Sequence, residues 1–287
     1  MTTSFDRLSP QLRKAARFLL DRPDDVALRS MRDVAKMANV PAATFVRLAR
    51  SLNFPDYIAL RDVFHRRIRE GGTVHQYSLK ARDLQMRSGE DKTLALMKDI
   101  FTSEAGNIEE TFQRNSSKIL LAAVEYIRKS DRIFVLGQRG CFPSAYAFNY
   151  VYQLFRPNSI LLQNNAGMFA DELRGIDMSD LLIAISVAPY TRDVVRAVRY
   201  ARNKKAKILA ITDDRLSPIA RDADVTLLTA TSTPSFFHSI ISMIALVQTL
   251  LALLVARGGK QALEAIEQSE RQLDWFGAYW NEDREKK

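Results

Sequence analysis

From Ser9 onward the apolar residues of the first quarter of the chain recur three and four positions apart, the spacing that lines one face of a helix. Ser9-Pro10 predicts a helix start, and Leu12, Ala16, Leu19 and Leu20 mark the apolar side of a helix running to Leu20. Residues 30–54, SMRDVAKMANVPAATFVRLARSLNF, predict two short helices around a tight turn. Ser30 caps the first, whose inner face is Met31, Val34, Ala35 and Ala38. Asn39 tolerates the left-handed backbone of a sharp reversal, Val40 plugs the corner, and Pro41 stands where a missing N–H does no harm. Ala42 to Leu52 supply the second helix, with Phe45, Leu48, Ala49 and Leu52 inside. Thr44, Arg47 and Arg50 are expected outside, beside the small Ala42 and Ala43. After a break at Asn53-Phe54-Pro55, Asp56–Arg69 reads as a further helix. Its inner residues are Tyr57, Leu60, Phe64 and Ile68, its other side is made basic by Arg61, Arg66, Arg67 and Arg69, and Gly71-Gly72 closes the unit.

Residues 73–90 are polar and weakly periodic, as expected of a linker or a loose helix. Helical periodicity returns at Asp91 with Leu94, Met97, Ile100 and Phe101, and continues through Ile108, Phe112, Ile119, Leu120, Val124 and Ile127. The pattern then changes to short continuous apolar runs: RIFVLG at 132–137, SILLQ at 159–163, LLIAIS at 181–186, AKILAIT at 206–212 and VTLLT at 225–229. Such runs suit strands buried on both faces of a parallel sheet. Helical segments at 144–155, 168–174, 191–203 and 218–222 alternate with them, the order that builds right-handed crossovers and a doubly wound layer. A long apolar helix is expected from about Ser235, followed by a surface helix over 260–287 in which Trp275, Phe276, Tyr279 and Trp280 dock on the core or on a neighbouring subunit. The expected architecture is therefore an all-α helix-turn-helix domain (1–72), a linker (73–90) and an α/β domain (91–287) with a five-stranded parallel sheet flanked by helices.

Charge sharpens the first part of this picture. Of the net charge of +9 over 287 residues, residues 1–90 hold +7 and the remainder +2. A basic footprint on a helix-turn-helix predicts double-stranded DNA as partner, through release of phosphate counterions and with strong salt dependence. Arg47 and Arg50 are candidates for groove or phosphate contact, with Arg32 and Lys36 as backbone anchors and Pro41, Ala42, Ala43 and Thr44 at the approaching helix end. One cysteine excludes an intramolecular disulfide framework, and three scattered histidines offer no metal cluster, so no metal or cofactor is expected. His65 and His75 read as surface residues, and His238 as a packed histidine or one that reaches a ligand. The N-terminus lacks the apolar core of a signal peptide, and residues 240–256 fall short of the ~20 needed to span a bilayer, which together predict a cytoplasmic protein without a membrane partner.

In an open parallel sheet, ligands gather beyond the carboxyl ends of the strands. Two loops occupy such positions: Gly137-Gln138-Arg139-Gly140-Cys141 and Ser186-Val187-Ala188-Pro189-Tyr190-Thr191. The stretch LLIAISVAPYTRDVVRAVRYARNKKAKILAITDDRLSPIARDADVTLL resembles the sugar isomerase (SIS) domain, and LSPQLRKAARFLL with the helix-turn-helix resembles the N-terminal domain of RpiR-type bacterial transcriptional regulators. The resemblance covers nearly the whole chain. It implies a dimerising sensor domain, in a homodimer or homotetramer, that binds a sugar phosphate or related acidic metabolite and alters operator binding. The ligand-site residues it implies are Gln138, Arg139, Gly140, Cys141, Ser186, Ala188, Tyr190 and Thr191.

The departures from the family pattern are chemical. Phosphate-holding SIS domains typically read Ser-x-Ser-Gly-x-Thr at the second loop. Here Ser186 and Thr191 remain, but Ala188 and Pro189 remove one hydroxyl and one backbone N–H. At the first loop, the expected Gly-x-Gly-x-Ser becomes a sequence with Arg139 and Cys141, a guanidinium suited to an acid and a thiol that is either a redox sensor or a small buried hydrophobe. Pro41 likewise replaces the family's usual serine. Two alternatives remain open. One is a phosphosugar isomerase-like enzyme with an accessory helical domain, for which Asp193 and Asp213 are the nearest acids. The other is an oligomerising DNA-binding module without an effector.

Overall fold

The computed structural model describes residues 8–71, 76–86 and 90–280, which form two compact units, residues 1–79 and 80–287. Gly72, His75, the first seven residues and the charged tail from 281 lie outside the described residues, as do the side chains of His65, Arg66, Arg67, Ile68 and Arg69.

The first unit is helical: α1 (Pro10–Asp21), α2 (Pro23–Leu28), α3 (Met31–Met37), α4 (Ala42–Ser51) and α5 (Tyr57–Gly71). Pro10 and Pro23 start their helices where no N–H is needed. Ser30 caps α3 by accepting from the Asp33 N–H and donating to its carboxylate, a reciprocal cap. One core gathers Leu19, Val26, Val34, Phe45, Leu48 and Leu60. The short α2 escapes the periodicity argument because six residues hold fewer than two turns. Arg61, expected on a free basic face, instead grips the Ala27 carbonyl from α5 at 3.0 and 3.2 Å and closes α2 against α5.

The chain passes between the units on α6 (Gln76–Met86). The second unit continues through α7 (Glu90–Arg114), α8 (Ser117–Lys129), β1 (Ile133–Gly137), α9 (Phe142–Gln153), β2 (Ser159–Leu161), α10 (Phe169–Glu172), β3 (Leu181–Ile185), α11 (Arg192–Asn203), β4 (Lys207–Thr212), β5 (Val225–Leu228), α12 (Ile241–Ala256) and α13 (Gly259–Trp275). All five strands are parallel in the order β2-β1-β3-β4-β5. Alternate strand residues face two layers. Ile133, Val135, Leu181 and Ile183 meet α8, α9 and α12, while Phe134, Leu136, Leu182 and Ala184 meet α11. The order reverses at β1, so the crevice between β1 and β3 is the topological switch point.

Three sequence expectations change here. Residues 218–222 make turns instead of a helix, and the long apolar helix begins at Ile241, leaving 235–240 as extended chain and bends. The C-terminal aromatics do not dock on their own core: Trp275, Phe276, Tyr279 and Trp280 are all exposed.

The edge strand β5 is closed by side chains from α7. Asn115 donates to the Leu228 carbonyl and accepts from its N–H (2.6 and 2.9 Å), Thr111 accepts from the Ala230 N–H (2.9 Å), and Asn107 makes the same paired contact with Ser232 (2.6 and 3.1 Å). Residues four apart on a helix rise about 6 Å and residues two apart on a strand about 6.6 Å, so the two ladders stay in step. Asn115→Ala leaves a buried N–H and a buried carbonyl unpaired and is expected to cost about 3 kcal/mol, measured by urea denaturation.

Candidate functional site

Within the first unit, α3 and α4 meet at the predicted corner. Asn39 adopts φ 50°, the Val40 N–H bonds the Ala35 carbonyl at 3.1 Å, and Val40 is buried. Lys14 of α1 donates to the Asn39 carbonyl at 3.2 Å and braces the turn from behind. Arg32, Lys36, Pro41, Ala43, Arg47 and Arg50 are exposed and Ala42 is half-buried. None of Arg32, Lys36, Arg47 and Arg50 joins an ion pair among the described residues, so α4 presents two uncommitted guanidinium groups on one side. Thr44 corrects the expected outer face: it is 0 % exposed, inside the helical core with Phe45, and its hydroxyl has no partner. Thr44 lies four positions before Leu48, and at 100° per residue it falls on the inner arc with Leu48.

In the second unit the two sequence-predicted loops come together at the carboxyl ends of β1 and β3, on either side of the switch point. Gly137 is required there, since a Cβ would stand 2.6 Å from the Cys141 carbonyl oxygen. The next residues form a 3₁₀ turn, Arg139–Cys141, in which Arg139 takes φ 54° and remains exposed. Gly140 serves packing: a Cβ would meet His238 Nε2 and the Phe237 ring at 2.7 Å. Gln138 is half-buried at the base of the turn.

The second loop is internally bonded. Ser186 is buried and its Oγ accepts from the Thr191 N–H at 3.3 Å. The Val187 N–H favours the ionised form of the Cys141 thiol in the first loop. The Asp213 carboxylate, at the end of β4, accepts from the Ala188 N–H (3.2 Å), the Tyr190 hydroxyl (3.0 Å) and the Thr212 hydroxyl (3.2 Å). Tyr190 is thus tied down as a loop cover, and Thr191 is half-buried at the start of α11. Burial pushes the Cys141 thiol up to about 11, reinforced by the Asp213 charge and opposed by the Val187 hydrogen bond. Cys141 is therefore the small buried hydrophobe of the two sequence readings, without thiolate character.

Sequence reasoning missed Asp213 as the hub of this site and left His238 undecided. His238 stacks on Phe237 with ring centroids 4.2 Å apart, and neither ring nitrogen has a hydrogen-bond partner although both are buried. Burial holds its pKa below the usual imidazole range; Asp213 opposes the shift and Lys80 of α6 adds to it. Lys80, Asp83 and Leu84 face Thr233, Pro234 and Ser235 across a cavity of about 210 Å³. Among the described residues no cluster of His, Cys, Asp and Glu suits a metal ion, and no single helix is long and apolar enough to cross a membrane.

Residues 126–253 match the SIS domain model. An uncharacterized HTH-type transcriptional regulator of Thermotoga maritima is 25% identical over 272 residues, covering 92% of this chain and 93% of the relative. The sugar isomerase domain of an RpiR transcription factor from Sphaerobacter thermophilus is 28% identical, with a TM-score of 0.59 over 61% of this chain and 98% of that one. The chain thus carries a SIS domain, and over nearly its whole length it is similar to an HTH-type transcriptional regulator. The Vibrio vulnificus NanR protein, solved in complex with ManNAc-6P, is similar in fold, with a TM-score of 0.55 at 17% identity and 98% of both chains covered.

Two outcomes test these placements. Thr44→Val removes a buried, unpaired hydroxyl and is expected to raise stability by about 1 kcal/mol in urea denaturation without weakening DNA binding. For His238, the unfolded chain takes up a proton near pH 6.5 that the folded chain resists, so the histidine lowers stability as pH falls below 6.5. His238→Gln is expected to flatten that decline in thermal melts; an unchanged pH slope contradicts the buried neutral imidazole.

Proposed function

We propose that the chain is a bacterial transcriptional regulator that grips operator DNA with α3 and α4 and senses a small carbohydrate-derived metabolite with its SIS domain. The observation that carries the DNA half is the side of α4 bearing Arg47 and Arg50, exposed and free of ion pairs beside the small Ala43. Arg32 and Lys36 on α3, also exposed, suit the phosphate backbone on the flank. The sensor half is supported by the two loops meeting at the switch point of the sheet.

The protein acts as a homo-oligomer on a near-palindromic site, in the bacterial cytoplasm. Support for self-association comes from α7, whose Leu94, Met97 and Phe101 are 75, 62 and 74% exposed along one side. Effector binding shifts the balance between two arrangements of the reading heads, with a coupling of ~1–3 kcal/mol.

The isomerase alternative needs a free general base near a substrate carbon. Asp193 pairs with Arg196, and Asp213 already accepts three hydrogen bonds within its loop. The commitments of these two acids favour a sensing role without turnover.

Arg47→Ala with Arg50→Ala is expected to abolish sequence-specific retention of a duplex selected by the wild-type protein from random DNA, while the oligomer seen in size-exclusion chromatography is unchanged. Retained gel-shift affinity in the double variant refutes the reading-helix assignment.

A further inference from the structure

The side of α4 that bears Arg47 and Arg50 is not the only basic surface of the helical unit. On α1, Arg13, Lys14 and Arg17 are all exposed, and with Pro10 they line one cavity of about 360 Å³. None of the three joins an ion pair among the described residues. Apart from Asp21 at the far end of α1, the helices α1 and α4 carry five cations and no carboxylate. Asp25 of α2 is taken by Arg22 and Arg29, and Asp33 of α3 by the Ser30 cap. Arg13 and Arg17 stand four apart, the spacing at which like charges on a helix repel. By itself this arrangement lowers the stability of α1, and an anion lying against it relieves the repulsion.

Position decides which anion. Lys14 Nζ donates to the Asn39 carbonyl at 3.2 Å, so the basic side of α1 is fastened to the turn between α3 and α4, two residues before Pro41 at the start of α4. Asn39 is itself exposed, as is Lys36, whose carbonyl accepts from the Asn39 N–H. In a helix-turn-helix the N-terminal residues of the second helix reach the base edges, and the sugar-phosphate backbone runs along the rim of the groove that the helix enters. The α1 cations therefore continue the surface of α3 and α4 towards that rim. From Arg13 to Arg17 the helix rises about 6 Å, and one strand of duplex DNA carries a charge about every 3.4 Å of axis, so the row reaches two neighbouring phosphates.

We propose that Arg13, Lys14 and Arg17 hold the phosphate backbone of the same duplex whose groove α4 enters, adding affinity without adding sequence preference. The proposal rests on the reading of α3 and α4 as the grip on DNA and extends that grip to a third helix. The Arg17 guanidinium makes no hydrogen bond or ion pair among the described residues. Arg13 Nε and Lys14 Nζ each serve one carbonyl, of Leu8 and Asn39, which leaves both terminal nitrogens of Arg13 and further ammonium protons of Lys14 for phosphate oxygens.

The test is fluorescence anisotropy of the full chain with a labelled duplex selected by the wild-type protein and with a scrambled duplex, each titrated over a range of potassium chloride concentrations. Each phosphate contact contributes about 0.9 to the slope of log affinity against log salt. Arg17→Gln is expected to reduce the slope by about one and to weaken both duplexes by the same factor, so that their ratio is unchanged; Arg17→Lys is expected to restore the slope. Arg13→Gln, Lys14→Gln and Arg17→Gln combined are expected to reduce it by about two or more. A disturbed turn or a packing defect lowers the amount of competent protein without changing the slope, so the slope separates phosphate contact from a structural role. An unchanged slope in both the single and the triple variant overturns the proposal, and so does a fall in the ratio between the two duplexes. Wild-type preference for its selected duplex, with slopes unchanged in the variants, sinks the α1 contact and leaves the reading of α3 and α4 standing; a wild-type chain that selects no duplex sinks both.

Discussion

The sensor domain depends on how its last strand is finished. An edge strand exposes a row of unpaired N–H and carbonyl groups, and β5 is such an edge. Here α7 supplies Asn107, Thr111 and Asn115 to residues 228, 230 and 232, so a helix does the work of a sixth strand. The same face continues with Glu104, which accepts from the Ser239 hydroxyl at 2.5 Å. The segment carrying Phe237 and His238 is thereby fastened at both ends, and its position over Gly140 is a consequence of edge closure. An amphipathic stripe of leucines would have packed α7 without fixing register. The polar ladder fixes it to one residue, because each amide must meet both backbone groups of its partner.

That register gives the site its electrostatic character. The loops at the ends of β1 and β3 have the position of an anion site, yet the charge they enclose belongs to the protein. Asp213 draws in the Ala188 N–H and the Tyr190 and Thr212 hydroxyls, and its field also bears on Cys141 and His238. Ala188-Pro189 in place of the family's Ser-Gly pair, and the hold of Asp213 on the Ala188 N–H and the Tyr190 hydroxyl, work in the same direction. Each reduces what the loop can offer a phosphate, so the substitutions are parts of one change.

Much of the fold was legible because its signals are local. Five apolar runs, each bounded by polar turns, map onto β1 to β5 within two residues, and Ser30, Asn39 and Val40 each play the part their chemistry suggests. The failures are instructive. Thr44 was assigned outward because it is polar, whereas helix geometry places it on the inner arc, and one buried methyl-bearing residue is tolerated there. Residues 235–240 are apolar enough to extend α12, but their backbone is held by Ser239 and Thr231 in a non-helical path. In sequence Asp213 stands out only as one of the two nearest acids for an isomerase, and an acid after a strand has an ordinary turn explanation. Its role arises only when β3 and β4 lie side by side and bring residues 188 and 190 to within hydrogen-bonding distance of it.

The position of His238 also bears on how sensing reaches DNA. A ligand moves a conformational equilibrium only by the difference in its affinity for the two states, so some group at the site must belong to an element whose placement differs between them. Lys80 meets that requirement. It lies on α6, the helix on which the chain leaves the DNA-binding unit, and its charge is felt by His238. A cavity of about 210 Å³ lies between Lys80, Asp83 and Leu84 of α6 and residues 233–235. The stiff part of the domain, the parallel sheet with its closed edge, then acts as the fixed frame. A shift of even 1 kcal/mol in such an equilibrium changes the ratio of two arrangements about fivefold.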